Sequence, residues 1–324
     1  MNEFDLIKRY FARSEISQIQ GQYTSSILGI GDDCALFEIP SNMQLAQSLD
    51  TLVEGVHFPS ECDPFSLGYR ALAVNLSDIA AMGAEPHSFI LGLTLPQVSE
   101  HWLKDFSAGL SLIAQRFNVP LIGGDTTKGP LTLSIQVQGL VPKGQALLRS
   151  GAQPGDLIYV TGTLGDAAGA LPYVLNGDTP ETCDNKNLKY LLKRYWYPSP
   201  RLFAGQWLRR AGATSTLDIS DGLLGDIRHI LKASNVGAEI SPELIPRSEA
   251  LGQFHDQDTA LTLALTGGDD YELCFTIHHS LGQTLPSKLT DDCHITCIGH
   301  INDESGIIRN PQGSLLTQKA YTHF

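Results

Sequence analysis

The chain has 324 residues, 42% of them hydrophobic and 18% charged, the balance of a folded globular protein long enough for two packed domains. A net charge of −13 lacks the basic footprint that a nucleic-acid backbone demands, and no uncharged apolar run reaches membrane-spanning length. The opening Met1-Asn2-Glu3-Phe4-Asp5 lacks the apolar core of a signal peptide, and six cysteines are scattered at 34, 62, 183, 274, 293 and 297. These features predict a reduced, cytoplasmic protein.

In chain order, residues 2–13 read as a short amphipathic helix with Phe4, Ile7 and Phe11 on one side. Gly29-Ile30-Gly31-Asp32-Asp33-Cys34-Ala35 follows: two glycines, then two adjacent carboxylates that repel each other and so suit either an exposed turn or a hard cation. Between Ser14 and Leu103 the one Lys or Arg is Arg70, whereas Asp32, Asp33, Asp50, Glu54, Asp63, Asp78 and Glu85 all fall there. Carboxylates gathered without cationic side chains need solvent or metal as counter-charge. Met43 to Leu49 alternates as a strand with Asp50 at its end. Pro64 opens a helix to about Met82, stopped by Gly83 and apolar nearly all round, which makes Asn75 and Asp78 conspicuous on one of its faces.

Phe89 to Leu95 reads as a strand, and Ser99 caps a helix with the stripe Trp102, Phe106, Leu110, Ile113 and Phe117. Gly123-Gly124-Asp125-Thr126-Thr127 is a second glycine pair ending in an acid, and Leu131 to Leu140 is a strand. Pro142-Lys143-Gly144 and Gly151-Ala152-Gln153-Pro154-Gly155-Asp156 mark the domain junction, dividing the chain into 1–142 and 143–324. The second half opens with a strand at Leu157 to Thr161 and Gly162-Thr163-Leu164-Gly165-Asp166, either a phosphate cradle or a tight packing turn, and not a Walker loop. Tyr197-Pro198-Ser199-Pro200-Arg201 predicts a helix with proline in its first turn. Leu217-Asp218-Ile219-Ser220-Asp221-Gly222 ends a strand before a helix from about Leu223 to Ala233. Gly267-Gly268-Asp269-Asp270-Tyr271-Glu272 then precedes a strand from Leu273 to Ile277. Cys293-x3-Cys297 with His294 and His300 is too loosely spaced for zinc and reads as incidental thiols.

The acids that end strands or follow glycines are Asp32, Asp33, Asp50, Asp78, Asp125, Asp218 and Asp221, with hydroxyls at Ser48, Thr126 and Ser220. Magnesium keeps waters and takes one or two carboxylates plus substrate phosphates, so a multi-acid set of this kind points to phosphoryl chemistry. There is no Gly-x-Ser-x-Gly elbow, His-Glu-x-x-His or kinase His-Arg-Asp loop.

Taken together, the segments 29–35, 48–58 (Ser-Leu-Asp-Thr-Leu-Val-Glu-Gly-Val-His-Phe), 73–84, 121–127, 149–152 (Arg-Ser-Gly-Ala), 218–223 and 267–273 resemble the thiamine-monophosphate kinase family, in order and over nearly the whole chain. The resemblance implies an α/β (α+β) two-domain fold shared with aminoimidazole-ribonucleotide synthetase and selenophosphate synthetase. Its N-terminal mixed-sheet domain binds ATP and magnesium and pairs in a homodimer, and its C-terminal α/β domain completes the ATP and substrate site. It further implies ATP- and Mg2+-dependent conversion of thiamine monophosphate to thiamine diphosphate, with several Mg2+ ions and a K+ requirement left open. By position, Asp33, Ser48, Asp50, Asp78, Asp125, Asp218 and Asp221 resemble magnesium ligands. Five of them, Asp33, Asp50, Asp78, Asp125 and Asp218, carry the catalysis. Gly124, Asp125, Arg149 and Ser220 resemble the ATP contacts, and His57, Asp269 and Tyr321 the thiamine-phosphate contacts. Leu49 stands where threonine is common, so a metal ligand there is its backbone carbonyl. Asp269 stands where glutamate is frequent, and its side chain is shorter.

A phosphate monoester carries about 1.5 to 2 negative charges near neutral pH, so such an acceptor needs relief from repulsion more than it needs a base. Two other readings compete. A relative making an acyl-phosphate or selenophosphate intermediate would need a reactive Cys and Lys, and residues 14–33 hold neither. A non-catalytic nucleotide-binding regulator would leave the acid set without a purpose.

Overall fold

The computed structural model describes residues 6–12, 15–20 and 28–318. The chain divides into two compact units, Met1–Ile79 with Ala84–Gly144 and Ala80–Gly83 with Gln145–Phe324. Within the expected N-terminal helix, Lys8–Ala12 is a π-helical turn that buries Tyr10 and Phe11, while Phe4 lies outside the described residues.

The first unit is built on a mixed four-stranded sheet of β1 (Met43–Val53), β2 (Glu85–Leu95), β3 (Leu121–Lys128) and β4 (Thr132–Pro142), in the order β1-β4-β2-β3. β1 pairs antiparallel with β4 from Met43↔Pro142 to Val53↔Thr132. This long ladder carries the strand past Asp50, which therefore sits inside β1 and not at its end. β2 runs antiparallel to β4 and parallel to β3, with Ile122 bulged out of register immediately before Gly123. Bulges of this kind re-aim the residues that follow. One face of the sheet is covered. Leu91, Leu93, Leu133, Ile135 and Val137 are buried there, as are Leu72, Leu76 and Ile79 of helix α1 (Pro64–Ala81) and Phe106, Leu110 and Ile113 of α2 (Glu100–Arg116). Asp63 opens α1 by accepting from Ser66 N at 2.8 Å, and Ser99 caps α2 through Trp102 N, as its sequence predicts.

The second unit carries a seven-stranded mixed sheet made of β5 (Leu157–Thr161), β6 (Ala213–Ile219), β7 (Gly237–Ile240), β8 (Glu272–Ile277), β9 (Lys288–Thr290), β10 (Cys293–Asn302) and β11 (Ile308–Arg309). The order is β11-β7-β10-β5-β8-β6, with β9 on β10. Helices α3 (Asp166–Leu175), α4 (Lys186–Trp196), α5 (Leu202–Ala211), α6 (Leu223–Ser234), α7 (Glu249–Phe254) and α8 (Gln257–Thr266) accompany it. Ile158, Val160, Leu217, Ile219, Ile227, Ile230, Cys274 and Ile298 meet in its core. α5 begins only at Leu202, so Pro198 and Pro200 lie ahead of the helix and not in its first turn: its N-cap is Arg201, whose side chain is drawn into a buried ion pair described below. The antiparallel pairings Val160↔Cys274 and Ile219↔Glu272 bring the end of β5, the start of β8 and the end of β6 to one end of the sheet. Three of the glycine–acid segments therefore converge there. No helix among the described residues is long and apolar enough to cross a membrane.

Candidate functional site

In the first unit, alternation along β1 places Ser48, Asp50 and buried Leu52 on one face and Gln47, Leu49 and Thr51 on the other. Leu49 is 58% exposed and points away from its two neighbours, so only its main chain can act with them. Helix α1 supplies the facing groups. Asn75 is fully buried, donates to Ala71 O and accepts from Asp50 N at 3.1 Å, while Ser48 Oγ donates to Asp78 Oδ2 at 2.5 Å. The two polar residues that looked out of place on an apolar helix thus hold the two polar positions of β1.

Asp33 belongs to an exposed loop pinched by hydrogen bonds between Leu28 and Leu36, and its N–H donates to Asp32 Oδ1. Ile30 of this loop lines a small pocket of about 40 Å³ together with Gly123, Gly124, Asp125 and Thr126, so the first and second glycine–acid motifs adjoin. Gly124 is there for close approach: a Cβ would lie 2.1 Å from Leu91 O. Asp125 follows it, exposed on the edge strand β3. Asp50 and Gly124 share one row of the sheet, through Asp50↔Ile135, Ile135↔Leu91 and Leu91↔Gly124. Three strand spacings separate them, about 14 Å. Ligand distances near 2 Å do not span that gap, so Asp50 and Asp125 cannot share one cation. His57 lies in the turn after β1, where Nδ1 accepts from Val53 N at 3.0 Å and leaves Nε2 as the protonated nitrogen of the neutral ring.

In the second unit, Asp218 is buried at the end of β6 and leads into the Ser220-Asp221-Gly222 turn. An acid that the motif reading passed over fixes this turn. Asp226, in the first turn of α6, accepts from Ser220 N, Asp221 N and Gly222 N at 3.0, 3.0 and 3.1 Å through one oxygen, Oδ2. Burial pushes its carboxyl up to about 6 despite these amides. Its sequence signal is an acid four residues into a helix that opens after Gly222, the ordinary place for a carboxylate at a helix start. Gly222 has φ +117° and would set a Cβ 2.6 Å from Thr266 O.

The Gly267–Glu272 segment packs on that turn, with Asp269 N donating to Ser220 O and Tyr271 N to Ile219 O, each at 2.8 Å. Asp269 and Tyr271 both adopt left-handed backbone, φ 71° and 50°, and Tyr271 OH donates to Asp269 Oδ1. Asp270 turns the other way. Fully buried, it accepts from Gly165 N with both oxygens at 3.0 and 2.8 Å, and burial holds its carboxyl well above the usual range. This settles the open question about Gly162–Asp166: the amide that would cradle a phosphate is engaged by Asp270, and the turn is a packing device.

Glu272 is buried and takes Arg201 through Nε and Nη2, both at 2.6 Å, and Arg194 Nη2 at 2.9 Å. Burial alone would raise its carboxyl, but Arg201 and then Arg194 outweigh it and hold it below the usual range. Arg194 also donates to Thr163 O and Asp270 O, tying the two turns together. A cavity of about 370 Å³ borders this network, lined by Tyr190, Arg194, Arg201 and His294 among others.

Ser48, Asp50 and Asp78 in the first unit, and separately Asp218 and Ser220 in the second, offer hard oxygen donors of the kind magnesium takes and softer metals do not. No three His, Cys, Asp or Glu side chains among the described residues converge closely enough to hold an ion by themselves. Arg149 is exposed. Tyr321 lies outside the described residues. All six cysteines are free, and Cys293 is buried in β10.

Residues 31–141 match the AIR synthase related protein N-terminal domain and residues 153–308 the corresponding C-terminal domain. The thiamine-monophosphate kinase of Escherichia coli K12 is 48% identical over 326 residues, covering 99% of this chain and 98% of that protein. A crystal structure of thiamine-monophosphate kinase from Stenotrophomonas maltophilia K279a is 43% identical, covers 98% of both chains and superposes with a TM-score of 0.84. AaThiL complexed with AMPPCP and TMP is 27% identical over 89% of each chain, with a TM-score of 0.79.

Proposed function

Because this chain belongs to the thiamine-monophosphate kinase family, within the AIR synthase related proteins, we propose that it transfers the γ-phosphoryl group of ATP in line to thiamine monophosphate, giving thiamine diphosphate and ADP in a magnesium-dependent reaction. The observation that carries this reading is the full-length likeness to thiamine-monophosphate kinases, one relative of which is complexed with AMPPCP and TMP.

Donor and acceptor are both anions, so their repulsion is the first barrier to remove. The Gly165 amide ahead of α3 and the Ser220, Asp221 and Gly222 amides ahead of α6 do not serve that end, since Asp270 and Asp226 already engage them. Charge neutralisation therefore falls to cations held by side-chain oxygens: Asp33, Ser48, Asp50, Asp78 and Asp125, with the Leu49 carbonyl, in the first unit, and Asp218 and Asp221 in the second. Bound magnesium would offset the charge between the two phosphates. The 14 Å row between Asp50 and Gly124 supports more than one ion. Gly124, Asp125, Arg149 and Ser220 hold the nucleotide, and His57, Asp269 and Tyr321 the thiamine phosphate. His57, its Nδ1 held by the Val53 N–H, is the ring assigned to the acceptor phosphate. Asp33, Asp50, Asp78, Asp125 and Asp218 act in catalysis by fixing charge and position, with no general base required. The protein acts as a homodimer in the cytoplasm, with exposed Leu49 on the edge strand β1.

ADP release measured with thiamine monophosphate, thiamine and no acceptor, with magnesium or with EDTA, tests the reading. Turnover is expected with thiamine monophosphate and magnesium, and free thiamine should be a poor acceptor. Comparable ADP release with free thiamine would overturn the proposal. Tyr321→Ala should raise the KM for thiamine monophosphate and leave that for ATP unchanged, through loss of a ring stacked on a cation worth about 0.5–2 kcal/mol.

A further inference from the structure

Helix α6 touches both loops assigned to the nucleotide, one at each end. At its start, Asp226 gathers the Ser220, Asp221 and Gly222 amides onto one oxygen, as described above. At its end, Ser234 Oγ accepts from Gly151 N and Ala152 N, each at 3.1 Å, and donates to Arg149 O at 3.3 Å. The Arg149 loop is held from its other side by β6, where Thr216 N donates to Leu148 O at 2.9 Å. A Cβ on Gly151 would stand 2.3 Å from Thr214 O. The loop is thus wedged between the strand that ends in Asp218 and the helix that begins beside Asp221. Burial, and then Arg149, hold the imidazole of His229, one turn beyond Asp226, below its usual range.

We propose that α6 is a spacer for the nucleotide and that Asp226 and Ser234 are positioning residues, which fix the Ser220–Asp221 turn and the Arg149 loop at a set separation. Eight residues of helix span about 12 Å, the scale of a nucleotide's ribose and phosphate chain. Neither residue needs to touch ATP. Asp226 is 5% exposed and its oxygen faces main-chain amides, and Ser234 is engaged by three main-chain groups. Their effect passes through Arg149, Ser220 and Asp221, so the inference rests on those residues contacting the nucleotide.

The test uses the full-length enzyme with ATP and thiamine monophosphate varied separately, and ATP affinity measured directly by calorimetry. Ser234→Ala frees the Arg149 loop. It should raise the KM and Kd for ATP about tenfold, the scale of one lost main-chain anchor, with the KM for thiamine monophosphate within about twofold of wild type. Ser234→Thr keeps the hydroxyl and should restore ATP affinity, which a packing role would not predict. Asp226→Ala should act in the same direction and more strongly, and Asp226→Asn, which keeps an acceptor oxygen, should lie between. If Asp226→Ala does not fold, the Ser234 pair alone decides. The spacer role is overturned if Ser234→Ala lowers Tm while both KM values stay put, or if both KM values rise together. Arg149→Ala separates the two levels. If it weakens ATP binding and Ser234→Ala does not, the spacer fails and the nucleotide assignment stands. If it leaves ATP binding untouched, the assignment and the inference fall together.

Discussion

The two units use carboxylates in opposite ways. In the first, Ser48 donates to the Asp78 carboxylate while Asp50 is held through its main-chain N–H, which donates to Asn75 Oδ1, in a stretch of sequence where Arg70 is the one Lys or Arg. In the second, Glu272 is gripped by two guanidiniums, and Asp226 and Asp270 by main-chain amides. A carboxylate whose oxygens are taken up by buried guanidiniums or by main-chain amides behaves as scaffold. The readings of Asp50 and Asp78 as cation ligands require, by contrast, that their oxygens be left for a ligand. Residue type alone does not separate the two jobs; the partner does.

The largest expected effect breaks the scaffold side of this contrast. Glu272→Gln leaves Arg201 and Arg194 buried against a neutral amide and should cost about 3–5 kcal/mol in urea or thermal unfolding. The pH dependence follows from the depressed carboxyl. Its contribution is present above the ordinary glutamate range and lost as pH falls through the lower folded value, so the variant's deficit should shrink on acidification. A variant that melts with wild type at pH 7 would show that the pair is not scaffold.

Next come the acids proposed to face a ligand. Asp78→Asn and Asp218→Asn should each lower kcat by at least about two orders of magnitude, roughly 2.7 kcal/mol in the transition state, with little change in Tm. A large drop in Tm with kcat preserved would move Asp78 to the scaffold class. The smallest effect is the most discriminating. Two like charges about 6 Å apart repel by roughly 3 kcal/mol at an effective dielectric of 20, and less where water enters. Asp50→Asn should therefore melt at or above wild type in EDTA, and magnesium should raise its midpoint less than it raises that of wild type. Melting well below wild type in EDTA with an undiminished gain from magnesium would make Asp50 structural.

This contrast also marks what a single sequence can reveal. The glycine–acid segments, the two-domain α/β class and the oddity of Asn75 and Asp78 on an apolar helix were legible, because local composition encodes them. The strand through Asp50 was read short because its length is set by β4, some ninety residues away. Arg201 and Glu272 are 71 residues apart, and no local pattern joins them. Asp270 stands inside a motif and Asp226 just after one, yet nothing in their spelling says that they face inward to amides while Asp221 and Asp269 remain half-buried. β7 and β11, of four and two residues, are too short for periodicity to register.

The left-handed backbone at Asp269 and Tyr271 has a consequence for how this chain can change. Side chains beyond glycine and asparagine hold that conformation at a cost of about 1–3 kcal/mol each, borne here by the anchoring of Asp269 N and Tyr271 N on the 219–220 turn. Glycine at either position would relax the main chain and raise thermal resistance, but at Tyr271 it would also remove the phenol that steadies the Asp269 carboxylate. Selection for a hardier enzyme and selection for a faster one therefore pull in opposite directions at these two codons. A heat-adapted descendant could accept the exchange only by finding another donor for Asp269.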